Sequence, residues 1–347
     1  MKLTPEHIAA NIAKGIFKPH IYLTNLALAS FQTGRFVSKA MFPIVPVPIS
    51  SGRFYEFDKG DLARDNVSRK PEMGHVAPAV FGKRDHYYHC DVDQVITGID
   101  QISTLDFQRT NAPGAIDPRR SKVRFIAEQM GIHLDRIWSE KYFNPESWAN
   151  VMEGTDSTPG SKKFYFFDND NSDPVKLFNV LSTAMLQLGL RKPNKICIGV
   201  NVFGALQINP SILERIKYQG SEANPADVTV NVLAQLFKVQ EVVVAESVIN
   251  RAPIGRPDDM QFICEPNSLL LAYTTSAPAI DEPSAGYTFA WDMLGNGQHM
   301  AVQQYLGEPA SHTEFVEGLL CSEPQITCKD LGVFMKNAVS PGYKPAA

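Results

Sequence analysis

The 347-residue chain has room for about two domains, and its 44% hydrophobic and 20% charged residues are the balance of an ordinary globular protein. That composition excludes wholesale disorder and a disulfide-stapled miniprotein. With 33 basic against 37 acidic residues, and a formal net charge of -4, it also lacks the cationic surplus a dedicated nucleic-acid binder needs.

The opening MKLTPEHIAANIAKG has no apolar signal-peptide segment, and no window approaches about 18 consecutive apolar residues, so no membrane span is predicted. Residues 5–30 are helix-prone: Thr4 suits an N-cap, Pro5 the first helical position, and Ile8, Ile12 and Ile16 recur at helical spacing. The run Phe42-Pro43-Ile44-Val45-Pro46-Val47-Pro48 then forbids helix, because its prolines remove donors and fix an extended backbone. It reads as a rigid strap rather than a core element.

Residues 52–84 are the most unusual stretch. Arg53, Lys59, Arg64, Arg69, Lys70, Lys83 and Arg84 alternate with Glu56, Asp58, Asp61, Asp65 and Glu72. Arg53-Phe54-Tyr55-Glu56-Phe57 alternates like a strand, and Gly60, Pro71, Gly74, Pro78 and Gly82 follow. So long a loop with so little apolar content cannot bury itself against its own domain. Aromatics followed by charge suit a hairpin that leaves the subunit and lies on a neighbour.

Residues 117–143 give the clearest helix. Asp117 is placed to cap it, with Pro118 in the first turn. Val123, Ile126, Ala127, Met130, Leu134, Ile137 and Trp138 fall on one face; Arg119, Arg120, Lys122, Arg124, Glu128, Asp135, Arg136 and Glu140 take the remainder. Its length of about 40 Å suits the spine of an elongated domain.

A Gly/Ser/Asp-rich stretch over 153–173 is interrupted by the aromatic strand Phe164–Phe167, and the pattern then becomes α/β. Asp173-Pro174 opens a helix with Leu177, Phe178, Leu181, Met185 and Leu188 on its apolar face, closed by Gly189. Lys195–Val200 reads as a buried strand, followed by two short helices hinged at Asn209-Pro210. Asp227 is the expected cap of a helix carrying Val230, Leu233, Leu236 and Phe237, and Glu241–Ala245 is a second apolar strand. Strand-like runs follow at Gln261–Cys264, Leu269–Tyr273, Tyr287–Trp291 and Met300–Tyr305, with one or two more over Glu323–Asn337. Turns fall at Glu265-Pro266-Asn267 and Gly295-Asn296-Gly297.

Chemistry-bearing patterns are weak. His86 and His89 in His86-Tyr87-Tyr88-His89-Cys90-Asp91 would point to opposite faces of a strand, so they read as cross-strand packing groups rather than metal ligands. Gly295-Asn296-Gly297 lacks the strand-before, helix-after context of a nucleotide loop and reads as a hairpin turn. Cys90, Cys197, Cys264, Cys321 and Cys328 form no C-x-x-C pair, and Cys197 and Cys264 lie in apolar runs where a thiol acts as a small hydrophobe. No catalytic residue, cofactor or metal site is predicted.

The order of elements resembles the Hong Kong 97-like major capsid proteins of tailed bacteriophages. Ile198–Leu206 running into Asn209–Tyr218, then Leu233–Val239 before Glu241–Val244, is similar to the family's strand, paired helices and next helix and strand. Pro283–Phe289, and the Phe42–Pro48 strap followed by Gly52-Arg53-Phe54-Tyr55, also match. The resemblance covers nearly the whole chain and implies an α+β Hong Kong 97-like fold. Residues 1–51 would be an N-terminal arm, 52–84 the extended loop, 85–164 with 311–347 a peripheral domain, and 165–310 the axial domain that meets its copies at capsomer centres.

The function implied is a major capsid protein that assembles into hexamers and pentamers and encloses double-stranded DNA in the head of a virion built in the host cytoplasm. Arg53, Lys59, Asp61, Arg64, Asp65, Arg69, Lys70, Glu72, Arg119 and Arg120 are the expected inter-subunit contacts. Little sequence precedes the strap, so a separate scaffolding protein is an expected partner, with a portal and a decoration protein. The competing readings are a cytoplasmic α/β enzyme with the loop as its lid, and an encapsulin-like cargo shell.

Overall fold

The computed structural model describes residues 36–57, 63–70, 72–76, 78, 83–100, 118–219, 228–275, 283–293, 300–307 and 312–343. The expected helix over 5–30, the Asp117 cap and the turn at Gly295-Asn296-Gly297 lie outside them.

Two sheets organise the chain. In the first, β14 (Thr313–Ile326) pairs antiparallel with β4 (Asp91–Asp100), β12 (Gly286–Trp291) and β13 (Met300–Leu306), while β1 (Ile44–Val47) adds parallel to β12. The proline-rich run is therefore an edge strand, a correction to its reading as a strap outside the core. Pro46 is tolerated because an edge strand leaves one side of its backbone without a ladder, and Phe42 and Val47 are buried.

Helix α2 (Pro118–Tyr142) lies on one face of this sheet. Its Val123, Ile126, Ala127, Met130 and Leu134 pack with Ile99, Met300, Val302, Val316 and Leu320. At 1.5 Å per residue its 25 residues run about 37 Å. The other face buries Tyr88, Tyr287, Phe289, Trp291, Leu319 and Cys321.

The second sheet has the order β6-β5-β15-β11-β7-β8, built from Lys163–Tyr165, Asn150–Thr155, Gly332–Lys336, Leu269–Ala272, Lys195–Gly199 and Glu241–Ala245. Alternation decides which residue faces where. Ile196, Ile198, Leu269, Leu271, Val333 and Met335 face a core shared with α3 (Pro174–Gly189), α4 (Val200–Ile208), α5 (Pro210–Gln219) and α6 (Val230–Phe237). Cys197, Leu270 and Phe334 face the opposite way, onto Trp138, Tyr142 and Phe143 at the end of α2. Each such large side chain contributes roughly 1.5–3 kcal/mol when fully buried, so this second cluster is a substantial joint between the sheets.

Sheet membership cuts across the expected division at 164/165 and 310/311. β12 and β13 belong with β4 and β14, while β15 returns to the second sheet beside β5 and β11. The apolar runs at 286–291 and 300–305 carry no signal of which partner they take.

Helix ends show two further departures. α3 is capped by Asp173, whose carboxylate accepts from the Lys176 N–H at 3.0 Å, but the left-handed residue that ends it is Leu190 rather than Gly189. Gly189 is needed for space instead, because a Cβ there would lie 2.6 Å from Leu331. Leu188, expected on the apolar face, is exposed. α6 is capped by Thr229, which accepts from Val232 N–H; Asp227 lies outside the described residues. The hinge between α4 and α5 is as expected, with Asn209 accepting from Ser211 N–H and donating to Phe167 O.

Candidate assembly surface

The hairpin formed by β2 (Ser51–Phe57) and β3 (Lys83–His89) stands outside both sheets as an antiparallel pair in register from Ser51↔His89 to Phe57↔Lys83. Among the described residues, its base carries the ring contacts to the first sheet. Phe54 packs on Phe289 with ring centroids 5.3 Å apart, and Tyr88 stacks on the same ring at 4.6 Å. Gly52 leaves room for this, since a Cβ there would meet the Tyr88 hydroxyl at 2.6 Å. His86 sits opposite Phe54 in the register and stacks on it at 5.4 Å, the cross-strand packing its position implied.

Arg53 is exposed on β2, its guanidinium 5.2 Å from the Tyr87 ring centroid and 3.9 Å from Asp85. Farther out, Arg64, Asp65, Arg69, Lys70 and Glu72 are all exposed. Asp65 turns the backbone locally by accepting from Val67 N–H at 3.0 Å. Lys59 and Asp61 lie outside the described residues. Val67 and Met73 are almost wholly exposed within this charged stretch. Reasoning from charge alone passed over them, although an apolar residue inside a charged loop is itself a signal of contact.

Arg119 and Arg120 open α2, away from the hairpin in sequence. Arg119 donates to Glu314 on β14 at 3.1 Å, a pair whose carboxylate is buried, so this arginine is already engaged within its own chain. Arg120 is exposed. The described hairpin positions among the expected contacts are thus exposed, and the two arginines stand at the head of the spine helix.

The residue missed most plainly is Asp135. Helical spacing puts it among the charged residues off the apolar face, yet it is fully buried. Its carboxylate accepts from the backbone N–H groups of Val37 at 3.1 Å and Ser38 at 2.8 Å, at the start of α1 (Val37–Met41), and from the Ser247 hydroxyl. Those partners are distant in sequence, so helical periodicity could not reveal them. The carboxylate ties the segment leading from the N-terminal residues to the spine helix and to the residues that follow β8.

Among the described residues, no three His, Cys, Asp or Glu side chains are grouped to hold a metal, and no helix is long and apolar enough to cross a membrane. All five cysteines are unbridged, four of them buried.

No family model matches the chain. It is 24% identical over 232 residues to the major capsid protein of Burkholderia phage BcepMu, spanning 65% of this chain and 68% of that protein. The crystal structure of a phage-related protein from Bordetella bronchiseptica RB50 superposes with a TM-score of 0.70 at 19% identity, covering 93% of this chain and 99% of the other. The mature capsid subunit of bacteriophage PhiM1 superposes at 0.50 with 11% identity over 87% and 86%. The holo-SrpI encapsulin of Synechococcus elongatus also reaches 0.50, with 10% identity over 89% of each chain. The α+β architecture described above is the fold these solved structures share.

Proposed function

We infer that this chain is the major capsid protein of a tailed bacteriophage, a structural subunit that assembles with copies of itself into the head shell. The observation that carries the inference is the hairpin 51–89, which among the described residues packs on its own subunit through Phe54 and Tyr88 at its base and carries exposed charge at Arg53, Arg64, Asp65, Arg69, Lys70 and Glu72, on a capsid fold. A closed shell repeats one set of contacts by symmetry. Each exposed ion pair contributes only about 0–1 kcal/mol, so a misplaced hairpin detaches readily, while many contacts made together hold the shell through effective concentration.

In this reading Arg53, Lys59, Asp61, Arg64, Asp65, Arg69, Lys70 and Glu72 contact a neighbouring copy, with Val67 and Met73 supplying apolar contact area. Arg120 adds a contact at the head of α2, and Arg119 serves chiefly to hold Glu314. The first sheet with α2 forms the peripheral unit. The second sheet with α3 to α6 forms the axial unit, whose exposed Val180 and Leu186 on α3 meet copies at the capsomer centre. The slightly acidic balance suits a wall that encloses DNA without gripping it. Assembly takes place in the host cytoplasm with a scaffolding protein, a portal and a decoration protein as partners.

An encapsulin-like cargo shell has the same fold and a different content; the sequence relative favours the phage reading. Electron microscopy of material co-expressed with the neighbouring head genes tests both. Shells or hexameric capsomers holding DNA or scaffold are expected. A protein that stays monomeric at every concentration with those partners present overturns the assembly reading, and shells filled with a foreign enzyme overturn the phage reading.

A further inference from the structure

Beside the Asp135 seat lies a small cavity, of about 20 Å³, lined by Ser38, Trp138 and Ser322 with Leu134, Pro324 and the largely exposed Lys39. Three polar atoms belonging to these walls are buried without a hydrogen-bond partner: Ser38 Oγ, Trp138 Nε1 and Ser322 Oγ. All three residues are more than nine-tenths buried. Unpartnered polar atoms are uncommon in folded proteins, and each is destabilising. Three around one cavity, from three separate parts of the chain, call for a common ligand.

The chemistry of the lining narrows what that ligand is. An indole N–H only donates, so the ligand must accept from Trp138, which excludes ammonium and other cations. The two serine hydroxyls can donate or accept. A cavity needs roughly 10–15 Å³ on this measure to hold one water, and a water has 2–4 polar partners. Volume and donor set therefore match a single water. A halide could also accept from all three groups, but the cation in the lining, Lys39, is largely exposed, and burying an ion without a buried counter-charge is costly.

We propose that this cavity is a binding site for one structural water, accepting from Trp138 Nε1–H and bridging the hydroxyls of Ser38 and Ser322. The water joins the segment entering from the N-terminal residues, the spine helix and β14. Together with Asp135 it makes the seat of residues 37–42 polar on one side and aromatic on the other, where Phe42 stacks on Tyr142 at 4.2 Å. A bridging water keeps its hydrogen bonds through small shifts of its three partners, which a direct side-chain contact does not.

The test is a structure of the purified protein or its assembled particle at a resolution that shows ordered water, obtained with and without bromide. One ordered density within about 2.7–3.2 Å of all three atoms, unchanged by bromide, is expected. Bromide scattering at that position assigns an anion and overturns the proposal. So does a dry cavity in which the three atoms pair among themselves. In solution the chain's three tryptophans give few indole resonances, and Trp138→Phe identifies the one that matters. Magnetisation transfer from a long-lived water to that indole proton is expected in the parent and lost or weakened in Ser322→Val, which fills the cavity. Equal transfer in a folded Ser322→Val protein overturns the site, and the parent measurements stand alone where that variant does not fold.

Discussion

The Phe36 ring lies against Gly131, in the middle of the spine helix, so closely that a Cβ on Gly131 would come 2.4 Å from it. Glycine inside a helix costs about 1 kcal/mol relative to alanine, and here that cost secures a seat for a buried aromatic ring. Gly131→Ala should therefore destabilise the protein by about 1–2 kcal/mol, against helix propensity, because the ring must move. In a Phe36→Ala background the same change should become stabilising by roughly 0.5–1 kcal/mol. Denaturant unfolding of the four proteins measures both. A Gly131→Ala variant that gains stability in the parent would show that the ring moves aside freely.

Asp135 should be far more sensitive than an ordinary helix-surface aspartate. Asp135→Ala strands the N–H groups of Val37 and Ser38 and the Ser247 hydroxyl, at a cost of about 3 kcal/mol or more. Asp135→Asn keeps the shape but loses the charge and turns a donor toward donors, costing roughly 1–3 kcal/mol. Unfolding midpoints distinguish these from the change below about 0.5 kcal/mol expected at a solvent-facing site.

Replacing residues 58–82 by Asn-Gly should separate folding from assembly. The register leaves Phe57 opposite Lys83, which a two-residue turn can join directly. The expected product is a folded subunit with a thermal midpoint near the parent's that forms no shells. Circular dichroism and electron microscopy read the two properties separately. A variant that still assembles removes the hairpin from the interface, and one that fails to fold shows that the projection supports its own subunit.

Glu323 predicts a pH dependence. Burial holds its carboxyl above its usual value of 4.5; Asp91 adds to the effect, while Lys141, His89 and the bond from Gln325 oppose it. The folded chain thus binds this proton more tightly than the unfolded one. The associated stability is present below the unfolded value and is lost as pH rises through the folded value. Glu323→Gln removes that loss, so the variant should be more stable than the parent at pH 7. The gap should close as pH falls below about 4.5. A gap that widens on acidification would contradict this assignment.

Thiol labelling should report the buried core. Burial pushes the Cys264 thiol up to about 12 and holds Cys197 well above the usual thiol value, with Asp135 acting in the same direction on both. Both should resist iodoacetamide at pH 8 in the native protein and react on unfolding. Mass spectrometry of the native protein should find modification confined to partly exposed Cys328.

Local signals in the sequence were dependable wherever one element's own periodicity or capping carried them. Val123 to Trp138 gave the buried face of the spine helix, Asp173 its neighbour's cap, and Asn209-Pro210 the hinge. The hairpin was legible because its charge could not be buried. What depended on distant partners was not. Asp135 looked like any surface carboxylate because its three donors come from two remote segments, and the Phe42–Pro48 run read as a strap rather than a core element because nothing local says which extended segment joins a sheet as its edge. The sheet membership of β12, β13 and β15 was not legible for the same reason: an apolar run specifies that it is a strand and not which sheet it joins.

The pairing of β14 also orders events in time. Both β1 and β4 are made early, yet β1 waits for β12 and β4 waits for β14; likewise β5 waits for β15, close to the end of the chain. At about 5–20 residues per second, the first strands stand without partners for tens of seconds on the ribosome. Neither sheet can close on an incomplete chain. A nascent chain therefore has neither sheet complete, and in the proposed role as a shell subunit a prematurely terminated chain has no finished surface with which to enter, or poison, a growing lattice.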